Sequence, residues 1–148
     1  MIITVASGKG GTGKTSVAVN MALSAGHVQL LDCDVEEPNA HLFLKTKITK
    51  TQQVHTLIPN INQELCTHCG TCAKFCQFNA LFAAPEKTMV FAELCHSCGG
   101  CAMVCPTKAI TDEPHHIGTL KFADADDLEL VYGELEVGKP MAVPVIKA

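Results

Sequence analysis

Between residues 66 and 105 one cysteine pattern occurs twice: Cys66-x2-Cys69-x2-Cys72-x3-Cys76, then Cys95-x2-Cys98-x2-Cys101-x3-Cys105-Pro106. Aligning residues 64–81, ELCTHCGTCAKFCQFNAL, with 93–110, ELCHSCGGCAMVCPTKAI, gives nine identities in 18 positions at a fixed offset of 29. A duplicated half-module with internal pseudo-twofold symmetry is the simplest account, with LFAA and TMVFAE as strand-like links. Eight of the nine cysteines lie in this stretch. A secreted disulfide scaffold would want an even count and a signal peptide. The count is odd, and MIITVASGKGG shows no basic region leading into a long apolar run. The expected setting is therefore a reducing cytoplasm, where such a cysteine count points to metal.

Three cysteines at two-residue spacing wrap a tight loop around one cubane and reach three of its iron corners. The fourth sits about a turn into a helix, faces away and ligates the other cluster. The expected sets are Cys66, Cys69, Cys72 and Cys105 for one [4Fe–4S] cluster, and Cys95, Cys98, Cys101 and Cys76 for the second. Zinc would want four ligands in two separated pairs, which does not explain a triple run made twice. Gly70 and Gly99 allow the backbone to approach the sulfides and donate hydrogen bonds. Residues 62–111 resemble a bacterial-type two-cluster ferredoxin, with Gln77 in place of the proline expected after the fourth cysteine. That proline shapes a turn and is no ligand. His68 and His96 read either as solvated loop residues or as groups that couple a proton to the clusters. Cys33 reads as a small residue at a strand end or as a separate redox group.

A second motif lies at the N-terminus. Gly8-Lys9-Gly10-Gly11-Thr12-Gly13-Lys14-Thr15 fits GxxxxGK[ST]. It follows an expected buried strand, residues 2–6, and opens an expected helix, residues 14–25, with apolar groups at 17, 21 and 23 packed on a sheet. The glycines let successive N–H groups turn inward as an anion nest, and the helix N-terminus adds positive potential. Lys14 is expected beside the β- and γ-phosphates of ATP, and the Thr15 hydroxyl on Mg²⁺. Residues 28–32 read as a second buried strand, completing a βαβ unit with parallel strands.

Lys9, directly after the first glycine, gives KGGTGKT, which resembles the deviant Walker A box of MinD/ParA/Mrp-like ATPases and nitrogenase iron proteins. The resemblance implies a homodimer sandwiching ATP, with Lys9 reaching the partner's nucleotide. It also implies that an aspartate after the second strand, Asp34 or next Asp32, sits in the first switch near Mg²⁺ and the attacking water. A carboxylate there holds water in line with the γ-phosphate. Residues 1–148 as a whole resemble the N-terminal part of MinD-like ATPases with an inserted ferredoxin domain, and DCDVEEPNAHLFL and GELEVGKPMAVPVIKA add to the match. Such proteins are often described as Mrp-like or cobyrinic acid a,c-diamide synthase-like, on fold kinship alone. Mrp-like relatives are linked to iron–sulfur assembly.

The expected fold is α/β: a partial P-loop NTPase sheet with helices (residues 1–59), a small α+β ferredoxin-like insertion (60–111), and a return to the ATPase domain (112–148). Within the last part, HHIGTLKFA and LELVYGELEVG read as antiparallel strands and KPMAVPVIKA as a short edge strand. AHLFLK reads as a short helix. The family's second switch, roughly DxPPG, does not occur in residues 112–148. The expectation is an N-terminal portion of a longer ATPase that by itself hydrolyses little. All 11 basic residues are Lys and the net charge is −4, so nucleic acid is not the expected partner. No apolar run reaches the ~18 residues of a membrane span. The function expected is a nucleotide switch carrying two [4Fe–4S] clusters, coupled to a redox protein. The alternatives are a ferredoxin-type electron carrier with a vestigial ATPase half, or a cluster-delivery factor.

Overall fold

Two glycines set the limits of the first helix. α1, Lys14–Ala25, starts after Gly13, held at φ 84°, and stops at Gly26, whose N–H donates to the Ala22 carbonyl. Both glycines have positive φ, which side chains resist. The computed structural model describes residues 1–148 and divides into two units. The first is Met1–Val54 with Ile117–Ala148; the second is His55–His116.

In the first unit, β1 (Gln29–Asp32) leads through a 3-10 turn at Ala40–Phe43 into β2 (Lys47–Ile61). The chain returns as β5 (Ile110–Ala125), β6 (Leu128–Leu135) and α4 (Val143–Lys147), after the shorter elements β3, β4, α2 and α3 described below. The sheet order is β1-β6-β5-β2. β1 runs parallel to β6, with Leu30 opposite Leu130, and β6 runs antiparallel to β5, with Leu120 opposite Gly133. The sheet is thus mixed: β5 and β6 are antiparallel, as expected of HHIGTLKFA and LELVYGELEVG, although the P-loop part of the sheet is expected to be parallel. Val19, Ala22, Ala40, Ala123, Leu130 and Tyr132 form one core cluster. Val35, Val54, Ile117, Leu120 and Val145 form another. Leu130 and Val145 are fully buried, each a contribution of about 1.5–3 kcal/mol relative to exposure. Lys121 and Tyr132 are cross-strand partners. Lys121 also pairs with Glu134 at 2.6 Å, and Tyr132 stacks on His41 with centroids 4.8 Å apart.

Four local expectations are corrected. Residues 2–6 form no strand, and Ile2 is 95% exposed. The predicted βαβ unit is accordingly absent, and β6 provides the parallel partner of β1. On α1 the buried residues are Val19 and Ala22, while Val17, Met21 and Leu23 are exposed. This helix is apolar on both faces, so periodicity cannot choose between them; contact with β1 and the 3-10 turn chooses the small face, Ala22 against Ala40. AHLFLK tightens into the 3-10 turn instead of an α-helix. Residues 143–147 are helical although VPVIK favours a strand, because Pro144 fits the first turn and Val145 docks into the core.

The second unit repeats its backbone as it repeats its sequence. α2 (Thr71–Phe75) and α3 (Gly100–Met103) are the short helices of the two copies, and β3 (Leu81–Ala83) pairs antiparallel with β4 (Thr88–Val90). His68 and Ser97, 29 apart, have φ 53° and 54°; Asn79 and Lys108 are both at 54°. Asn62 N–H donates to the Ala109 carbonyl at 2.9 Å, and Phe91 N–H to that of Ala80 at 2.8 Å, the same bond in each copy. The division between the units falls inside β2, after Val54, and inside β5, after His116. No helix is long and apolar enough to cross a membrane.

Candidate functional site

The N-terminal loop closes on one carbonyl. Ser7 Oγ donates to the Lys9 carbonyl at 2.8 Å, Thr12 Oγ1 at 3.3 Å and Lys14 Nζ at 3.3 Å, while Ser7 and Thr12 hydroxyls lie 2.7 Å apart. The Lys14 ammonium is thereby curled back over the loop, against the partial negative charge of the Lys9 carbonyl. Gly11 (φ 69°) and Gly13 (φ 84°) make the turns that permit this. Gly8 and Gly10 complete an exposed loop, and no side chain caps α1 at Gly13. The first-turn N–H groups of the helix therefore have no side-chain partner, which is the arrangement an anion occupies. Thr15 is half-buried in that first turn and Lys9 is exposed. Ser7 was not singled out by the motif; the signal was a hydroxyl preceding the first glycine.

The two aspartates after β1 are in different states. Asp32 accepts backbone N–H groups from Asp34 (3.1 Å), Asn39 (3.1 Å) and Ala40 (3.0 Å), so both its oxygens shape the loop and cap the 3-10 turn. Asp34 is exposed and its carboxylate has no partner in the chain. Cys33, between them, is also exposed.

In the second unit the cysteines wall two cavities. Cys66, Cys69, Cys72 and Cys105 line one. Cys76, Cys95, Cys98 and Cys101 line the other. Each thus takes three cysteines from one copy and the fourth from the other. No three His, Cys, Asp or Glu side chains converge as a single-ion site. Ala109 N–H donates to Cys105 Sγ at 3.3 Å, and the equivalent Ala80 N–H to Cys76 Sγ at 3.4 Å. Ser97 N–H donates to Cys95 Sγ at 3.5 Å.

The thiols are tuned in opposite directions. The Thr71 hydroxyl, 3.3 Å from Cys69 Sγ, pulls that thiol below its usual range. At Cys105 burial pushes upward but is outweighed by the Thr107 hydroxyl and backbone N–H groups, so the net shift is down. Burial raises Cys72, Cys95 and Cys101. Thiolate is the form that binds metal, so a metal bound at those three would drive proton release. Thr88, 2% exposed, is clamped by Gln63, whose amide donates to its carbonyl (2.8 Å) and accepts its N–H (3.1 Å). The Thr88 hydroxyl lies 3.4 Å from Cys66 Sγ and 3.1 Å from His68 Nδ1. His96 stacks on Phe78 at 3.6 Å. Motif reading missed Thr71, Thr88 and Thr107; comparing donors along the repeat alignment would have found Thr71 and Thr107, and extending it into the flank between the copies Thr88.

A glycine-rich loop opening a helix, beside an α/β sheet, defines a P-loop nucleotide-binding domain. The chain belongs to the CobQ/CobB/MinD/ParA nucleotide-binding domain family, whose model matches residues 3–146. A relative in Methanocaldococcus jannaschii, described only as an uncharacterized protein, is 39% identical over 85 residues, 55% of this chain. The match spans 30% of that relative's length.

Proposed function

We propose that this chain is an ATP-dependent switch protein that carries two [4Fe–4S] clusters and couples nucleotide state to electron transfer. One observation carries the reading: in a nucleotide-binding chain, eight cysteines divide into two cavities of four, each drawing its fourth from the other copy. The donors suit the group. Four cysteines line each cavity, and Ser97 Oγ, buried beside the second, has no hydrogen-bond partner. Cys66, Cys69, Cys72 and Cys105 would hold one cluster; Cys95, Cys98, Cys101 and Cys76 the other. When bound, such clusters supply one-electron redox chemistry.

The remaining work falls to the chain's own groups. Lys14 would leave the Lys9 carbonyl for the β- and γ-phosphates of ATP, a charged interaction replacing a charge–dipole one. The Thr15 hydroxyl would hold Mg²⁺, and the first-turn N–H groups of α1 the phosphate oxygens. Asp34, unlike Asp32, has a carboxylate free to hold an attacking water. Lys9, whose ammonium has no partner in its own chain, would serve the nucleotide of a second copy in a homodimer. A redox protein would be the other partner.

Anaerobic reconstitution with iron and sulfide tests the first half: about eight Fe and eight sulfide per chain are expected from two Cys₄ sets. Stoichiometric zinc without sulfide would overturn it. For the second half, Mg·ATP should shift the midpoint potential of the reconstituted chain, and Lys14→Ala should abolish the shift. Potentials indifferent to ATP would leave an electron carrier in which the nucleotide half is vestigial.

A further inference from the structure

We propose that the two four-cysteine sites are unequal by construction, and that the Cys66, Cys69, Cys72 and Cys105 site holds an added electron in preference to the Cys95, Cys98, Cys101 and Cys76 site. This rests on the reading of both cavities as cluster sites and adds an order between them. The asymmetry is visible because the backbone is duplicated, so that each position around one site has a counterpart 29 residues away at the other.

Three hydroxyls reach cysteine sulfur at the first site. Thr71 Oγ1 lies 3.3 Å from Cys69, Thr88 Oγ1 3.4 Å from Cys66 and Thr107 Oγ1 3.7 Å from Cys105. Their counterparts at the second site are Gly100, Pro59 and Phe78, none of which carries a hydroxyl. Gly100 has no room for one: an added Cβ would overlap the Phe75 ring, with Cζ at 3.0 Å. A metal-bound sulfur has no proton of its own, so in each threonine pair the hydroxyl is the donor. Thr88 can accept the His68 ring N–H while it donates to Cys66. Donation to a ligand sulfur stabilises the more negative, reduced state more than the oxidised one.

The surroundings of the second site act in the same sense. Asp112 lines it, where the counterpart at the first site is Ala83. A carboxylate disfavours a further negative charge nearby, though solvent weakens this at an exposed residue. Phe75 and Phe78 line the second cavity as well, and apolar walls solvate added charge poorly. Opposing groups at the second site are Ser97, whose N–H donates to Cys95 Sγ at 3.5 Å although its Oγ reaches no cysteine sulfur, and His96, which lines the cavity stacked on Phe78.

The test uses the full chain reconstituted anaerobically, titrated with dithionite and read by EPR. Wild type should show two separate one-electron waves. Thr71→Val with Thr107→Val should lower the upper wave, leave the lower one in place and so narrow the gap. Thr71→Ser should restore the wild-type position, because it returns the hydroxyl without the methyl. Phe78→Thr should raise the lower wave. If the double variant loads iron poorly, either single valine variant should give a smaller shift of the same sign. Coincident waves in wild type overturn the proposal, as do threonine variants that move the lower wave or neither. Failure to take up about eight iron sinks the cluster reading and this order with it. Full loading with unresponsive waves sinks the order alone.

Discussion

Asp32 and Asp34 are two residues apart, and the structure assigns them different work. Asp32 gathers three backbone N–H groups from Asp34, Asn39 and Ala40. Removing its carboxylate leaves those donors without a partner where the loop is half-buried, at a net cost of about 2 kcal/mol. Asp32→Ala should therefore lower Tm clearly, whereas Asp34→Ala, at an exposed carboxylate, should change stability by less than about 0.5 kcal/mol. Thermal unfolding of both variants checks this; equal destabilisation would remove the distinction. The sequence DCDVEEPN indicated that an acidic group mattered after the second strand. It could not separate the two aspartates, because what separates them is where the N–H groups of residues 34, 39 and 40 point. The cysteines were legible for the opposite reason. Their spacing indicated which cysteines would line a common cavity, whereas of their hydroxyl partners only Thr71 lies within a cysteine run and Thr88 is reached only through the fold.

At the scale of elements, α4 seats Val145 in a notch made by two glycines on neighbouring strands. A Cβ on Gly133 would meet Val145 Cγ1 at 2.7 Å and Val35 Cγ1 at 2.9 Å. One on Gly118 would meet the Glu134 carbonyl oxygen at 2.5 Å. Gly133→Ala should destabilise by about 2 kcal/mol through overpacking. Combined with Val145→Ala, it should cost less than the sum of the two single changes, since the truncated side chain yields the space. Gly118→Ala should show no such relief, because its clash is with backbone. Denaturant titrations of the five variants decide; simple additivity at Gly133 would mean that α4 is not seated there. The same notch explains why the C-terminal segment was misread from sequence. MAVPVIK has strand-forming side chains, but its conformation is set by a site on β5 and β6 that local propensity does not contain. Residues 2–6 fail in the converse way: their side chains favour a strand and the structure forms none there.

At the scale of the whole molecule, nucleotide and cysteine chemistry occupy different units of one chain, and each has its own test. In the second unit the cavities predict that Cys105→Ser damages the site of Cys66, Cys69 and Cys72, not that of its sequence neighbours Cys98 and Cys101. EPR showing loss at the other site alone would refute the crossed arrangement. In the first unit the decisive residue is Lys9. Its carbonyl collects three donors, Lys14 among them, while its ammonium has no partner. If Lys14 binds phosphate as proposed, Lys14→Ala removes a charged contact of about 1.5–3 kcal/mol, so Mg·ATP binding should weaken by roughly 10- to 100-fold. Lys9→Ala should leave monomer binding within about 3-fold, since the loop's N–H groups and Lys14 remain; a lost exposed charge is worth little. What it should lose is ATP-dependent dimerisation, measured by light scattering. Mixing Lys9→Ala with Asp34→Ala chains sharpens the test in any form of the protein that hydrolyses ATP. If Lys9 acts across the dimer, one composite site in the heterodimer has both mutations and the other has neither, so activity should partly recover. If the mixture stays inactive while each mutant keeps activity when paired with wild type, Lys9 acts within its own chain. The second copy would then have no part in the site.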